Sequence, residues 1–168
     1  MEGLTYRKAK LMMAKINKSL HEVVEKRHLV LSWVQTQRQR EVIWEEVQNT
    51  IGKYRREVGG IPIAVGPVKV RPAIFLVDEG KSVHLEVEVP QIVFRPIRHG
   101  EYKCHVVSID KKFSNGILFN KIPVVLTQKK KREGASEEVH IEEGKKVKFR
   151  FKSVEAKGKL CQIRGTLY

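Results

Sequence analysis

Two cysteines in 168 residues leave no room for a disulfide framework. Cys104 and Cys161 both fall inside strand-like runs, as small buried residues in a reducing compartment would. No apolar run approaches the roughly 20 residues needed to cross a bilayer, so no membrane-spanning segment is expected. The opening MEGLTYRKAK is basic, but no apolar segment follows it, which argues against a secretory signal. His21, His28, His84, His99, His105 and His140 are scattered and form no metal-ligand spacing with the cysteines. A glycine-rich phosphate loop is missing, and no nucleophile sits in a recognisable elbow. Glu86 and Glu88 share a strand face suited to Mg²⁺, although a solvated strand face accounts for them as well. Nothing here argues for an enzyme, a metal or a cofactor.

Negative charge is also scarce. Thirty-three Lys and Arg face 19 Asp and Glu, for a net charge of +14. Such a balance points to nucleic acid, an acidic protein surface or anionic lipid as partner, and says nothing about fold. The chain reads as a soluble intracellular protein, cytosolic or nuclear.

What is present is organised around VHLEVEVPQIVF, residues 83–94. Val83, Leu85, Val87 and Val89 alternate with His84, Glu86 and Glu88, the period of a half-buried strand. Pro90 has no N–H to donate, so a bulge or an edge is expected there. This strand reads as the joint between an α+β domain and a small barrel. Residues 1–22 read as a mobile basic arm, with a weak helical stripe through Met12, Ile16 and Leu20 as the alternative. A first strand follows over 23–34, with Trp33 expected as a core anchor. Ile43, Val47, Ile51, Tyr54 and Val58 predict one helix over 40–58, stopped by Gly59–Gly60, with Trp44 extending its apolar stripe. IPIAVGPVKV, residues 61–70, is β-rich and broken at Gly66–Pro67. In the connecting segment 71–81, the run Ile74–Phe75–Leu76–Val77 either packs locally or meets a partner.

Beyond Gly100 the turn signals space five short strands, with a solvated insertion over 128–139, the pattern of an OB-type barrel. Lys146, Lys148, Arg150 and Lys152 alternate with inward Val147, Phe149 and Phe151. That row either tracks phosphates or keeps a strand soluble. Lys111, Lys112 and Phe113, with Phe119 expected nearby, combine charge with a stacking ring.

The run GGIPIAVGPVKV, the Asp78–Glu79–Gly80 turn, VHLEVEVPQIVFRP and the closing Ile163–Arg164–Gly165…Leu167 resemble one family in sum. It is the family of the larger stalk subunit of eukaryotic RNA polymerase I, related to the seventh subunit of polymerase II and to the larger stalk subunit of the archaeal polymerase. The likeness runs from about Val23 onward. It implies a non-catalytic subunit of α+β class: a tip domain, residues 23–97, then an S1-like OB domain, residues 98–168. It places core docking on Ile61, Pro62, Val70, Arg71, Pro72, Ile74, Phe75, Asp78 and Gly80. It places single-stranded RNA on the barrel, with Arg164 joining the residues above. Implied partners are the polymerase core, a smaller stalk subunit in some lineages and the polymerase I initiation factor, in nucleus and nucleolus. A free-standing S1-like RNA binder and a stalk subunit of polymerase II or III are the alternatives.

Overall fold

A computed structural model of the chain describes residues 3–15, 18–71, 76–77, 82–110, 112–128, 141–158 and 160–167. The chain divides into two compact units. One comprises Leu4–Ile51 and Arg55–Arg95; the other is built on Pro96–Tyr168 and also takes in Gly52–Tyr54. The central strand therefore lies wholly inside the first unit and is not a joint.

The first unit runs α1 (Tyr6–Met13), β1 (Leu20–Ser32), α2 (Gln39–Gln48), β2 (Ile61–Val65), β3 (Lys69–Val70), β4 (Leu76–Val77) and β5 (Ser82–Phe94). The expected arm is thus partly a helix. The Thr5 hydroxyl accepts the Lys8 amide at 3.3 Å, which caps α1, and Ala9 is fully buried. Tyr6 packs against Gly66, where an added Cβ would lie 3.0 Å from its ring. Tyr6 Oη and Lys10 Nζ reach Glu22 at 2.5 and 2.8 Å, fastening the helix to β1.

The sheet is antiparallel, and β5 is its centre. It pairs with β1 over all 13 positions on one side and with β2, β3 and β4 on the other. No bulge occurs at Pro90: the register against β1 runs unbroken through Val24↔Pro90. The reason is direction. Within a strand, a residue's N–H and C=O point to the same side. The Pro90 carbonyl accepts the Gly66 amide at 2.7 Å, so its nitrogen also faces the break between β2 and β3. The missing donor therefore costs the β1 ladder nothing. The irregularity lies instead in β2, between Pro62 and Ala64.

The predicted 40–58 helix is shorter. It ends at Gln48, and Gly52 takes a left-handed φ of 83°. Ile43 and Val47 bury against Leu31, Leu85 and Val87, while Val58 is buried from a separate 3₁₀ turn, Arg56–Val58. The helical spacing of Ile51, Tyr54 and Val58 continues through a turn without a helix to carry it. Trp33 is no core anchor, because β1 ends at Ser32 and leaves it 62% exposed. Trp44 is also exposed, on the side of α2 away from the core stripe.

The second unit contains β6 (Glu101–Ile109), β7 (Phe113–Leu118), β8 (Ile122–Gln128), β9 (Lys146–Lys157) and β10 (Leu160–Leu167). The strands are ordered β10-β8-β7-β6-β9, and β9 pairs back onto β10, so the sheet closes on itself. The β8–β10 pair is parallel and the other four are antiparallel. Tyr102, Cys104, Val106, Ile122, Val124, Leu126, Phe149, Phe151 and Ile163 fill the interior. Each Val, Leu, Ile or Phe among them contributes about 1.5–3 kcal/mol when fully buried. Gly165 lets β10 approach β9: a Cβ there would lie 2.2 Å from the Phe149 ring. Cys104 and Cys161 are buried free thiols, and burial pushes the Cys104 thiol up to about 11.

The first unit also buries an ionic cluster. Arg27 Nε donates to Glu25 at 2.7 Å, and Arg27 also donates to Gln91 and to the Thr50 hydroxyl. Thr50 in turn donates to the Val47 carbonyl, tying the end of α2 to the cluster. Burial alone would push the Glu25 carboxyl up. Hydrogen bonds from Arg55, Gln91 and Arg27 together outweigh it and hold the group below the ordinary carboxylate value. A lowered folded value means that the stabilisation is complete above the unfolded pKa, about 4.3. It is lost as pH falls through the folded value. Glu25→Ala should cost about 3–5 kcal/mol, because it strands Arg27 in the interior. Glu25→Gln should flatten the loss of stability as the pH falls below about 4.3. Urea unfolding across that pH range checks both.

Candidate nucleic-acid interface

The outer face of β6 and β9 gathers the cations that the sequence spreads over about 50 residues. Along β9, Lys146, Lys148, Arg150 and Lys152 are exposed, recurring every second residue, about 6.6 Å apart. The antiparallel register sets Lys103 opposite Lys148 and His105 opposite Lys146. Lys103 and His105 escape the sequence reading, which uses β6 only for its inward residues. Their signal is in the same alternation, as the polar partners of Tyr102, Cys104 and Val106. Arg150 is partly answered by Glu101 at 3.5 Å. Among the described residues, Lys103, Lys146, Lys148 and Lys152 have no carboxylate within ion-pair reach.

Like charges placed directly across a sheet are destabilising by about 0.2–1 kcal/mol per pair. Lys103 and Lys148 form such a pair. A surface serving only solubility would do better with one lysine exchanged for glutamate, as Arg150 and Glu101 show nearby on the same two strands.

The remaining expected residues disperse. Arg164 is exposed on β10 but held by Glu155 at 2.9 Å. The same Glu155 accepts from Gln162 at 2.7 Å, and Gln162 and Arg164 hold its carboxyl below the ordinary value. Lys112 and Phe113 lie at the β6–β7 turn, and Phe113 is 42% exposed. Phe119 is not beside them. It follows the opposite end of β7, about 20 Å away along the strand, in a left-handed turn with φ 51°. Lys111 lies outside the described residues.

The expected docking residues divide similarly. Ile61 and Pro62 are buried in β2, so they build the sheet and cannot meet a partner. Val70 is exposed. Arg71 is exposed but engaged, donating twice to Glu88 at 2.9 and 3.0 Å and lying 3.9 Å from Glu86. Both glutamates are therefore ion-paired strand-face residues. Among the described residues, no group of three or more His, Cys, Asp or Glu is placed to hold a metal. Pro72, Ile74, Phe75, Asp78 and Gly80 lie outside the described residues. Sequence reading also misses Trp33 and Val34, which stand 62% and 76% exposed where β1 ends. The register Ser32↔Ser82 puts that end beside the start of β5, where β4 also pairs.

Comparison with known proteins divides the chain at the same place. Residues 3–95 match the F10E9.4 N-terminal domain, and residues 101–168 match the F10E9.4 C-terminal domain. The chain belongs to the F10E9.4 family. A relative from Caenorhabditis elegans, "Uncharacterized protein F10E9.4", is 30% identical over 118 residues. The match covers 70% of this chain and 44% of that relative, so the chain spans less than half of its length.

If the family's C-terminal domain meets phosphates here, Lys103→Ala with Lys148→Ala should lower the salt slope of RNA binding by about one to two units. Arg164→Ala should leave it unchanged, since that guanidinium is already neutralised. Fluorescence anisotropy of a labelled single-stranded RNA between low and high salt measures both. Equal effects of the two variants would return the lysine row to solvent.

Proposed function

We propose that the chain is a non-catalytic stalk subunit of RNA polymerase I. In this reading the first domain docks to the polymerase core, and the second faces emerging RNA and helps receive the initiation factor, in the nucleolus. The observation that carries it is the un-neutralised cationic face on a closed sheet of a particular order. Numbered within the second domain, the strands run one-two-three-five-four around the closure, and three and five are parallel. That order supports the S1-like OB barrel that the family resemblance implies. The first domain adds exposed Trp33 and Val34, apolar side chains whose placement suits protein contact rather than RNA phosphates.

A tagged chain recovered from nuclease-treated nuclear extract tests the reading, with co-purifying proteins identified by mass spectrometry. The two large subunits of polymerase I should appear in near-equal amount. Trp33→Asp should reduce that recovery without lowering thermal stability, because the ring is not in the core. Recovery of polymerase II or III subunits would keep the architecture and change the machine. Loss of every protein partner on nuclease treatment would replace the stalk reading by a free-standing RNA binder.

A further inference from the structure

The first unit carries a second surface that neither RNA binding nor tip docking uses. Among the described residues β1 is an edge strand: it pairs with β5 alone. The direction of its backbone groups follows from its neighbour. The carbonyls of Pro90 and Glu86 accept the amides of Gly66 and Arg71, so even-numbered residues of β5 face β2 and β3. Odd-numbered ones face β1, where Val89 meets Glu25 and Val87 meets Arg27. On β1 the odd residues are thus spent on β5. Glu22, Val24, Lys26, His28 and Val30 turn their N–H and C=O outward. At Ser32 the outward amide is already taken, by the Gln35 side chain at 2.8 Å.

Long edges are ordinarily blunted by a proline, a bulge, a covering element or charged side chains, and β1 carries charges, Lys26 outward and Glu25 and Arg27 inward. β1 has no proline, and its register shows no shift over 13 residues. Its outward positions bear Val24 and Val30, 60% and 53% exposed, around the polar pair Lys26 and His28. We propose that this edge is a strand-addition site for an extended acidic segment of a partner protein. Main-chain hydrogen bonds would supply the register. Apolar side chains of the incoming strand would cover Val24 and Val30, and a carboxylate would answer Lys26. A second copy of this chain is the poorer occupant, because it brings another +14 charges to the contact. The inference does not depend on the polymerase reading.

The test uses the full chain and a labelled peptide of alternating valine and glutamate, with a valine–lysine peptide as its control. In the free protein, amide exchange should be fast at Val24, Lys26, His28 and Val30 and slow at Glu25, Arg27 and Leu29. The valine–glutamate peptide should slow the first set by about tenfold or more. Val24→Pro removes an outward donor and no bond to β5, so it should abolish peptide binding while the thermal midpoint stays close to the parent's. Lys26→Glu should reverse the preference between the two peptides. Outward amides that are already slow in the dilute free protein would overturn the proposal. So would equal binding of both peptides, or protection that grows with protein concentration as a dimer forms.

Discussion

The ladder between β1 and β5 is the interaction on which the first domain depends. β5 is the strand to which every other strand of that sheet is anchored. One face of the ladder carries Leu31, Val83, Leu85, Val87 and Val89 under α2, and on that same face Glu25 and Arg27 stand opposite Val89 and Val87, with Gln91 next along β5. A slip of one residue would move both sets to solvent together. Hydrophobic burial and the buried ionic cluster therefore specify the same register. The cluster adds direction, because Glu25, Arg27 and Gln91 can satisfy one another in one alignment only.

Strand period is the most legible part of the sequence. The alternation in β5, β6, β9 and β10 sorts inward from outward residues, because both faces of those strands have contrasting surroundings. Helical period misleads at Ile51, Tyr54 and Val58. Their spacing fits one stripe, but Gly52 turns the chain left-handed and the last of the three is buried by a different turn. Trp33 fails for a different reason: its hydrophobicity says nothing about whether the strand carrying it has already ended. The chemistry of Pro90 is visible in the sequence but its direction is not, and the neighbouring break between β2 and β3 is what makes it harmless.

The candidate site is half legible. Lys146, Lys148 and Arg150 stand out because they lie in one strand. Lys103 and His105 join them only through β6–β9 pairing, which spans roughly 40 residues of sequence and leaves no local signal. The structure also separates cations that composition counts alike. Arg164 and Arg71 are bound to glutamates, whereas Lys103 and Lys148 face each other across the sheet. A net charge of +14 is thus unevenly available, and Lys103, Lys146 and Lys148 on the face of β6 and β9 belong to its un-neutralised part.

The most direct measurement of the central claim is ultraviolet crosslinking of the endogenous protein to RNA in intact cells. Both the crosslinked peptides and the attached RNA would be sequenced. Peptides from β6 and β9 should be found joined to nascent ribosomal RNA, with the first domain free of crosslinks. Crosslinks confined to the first domain, or RNA drawn evenly from unrelated transcripts, would contradict it.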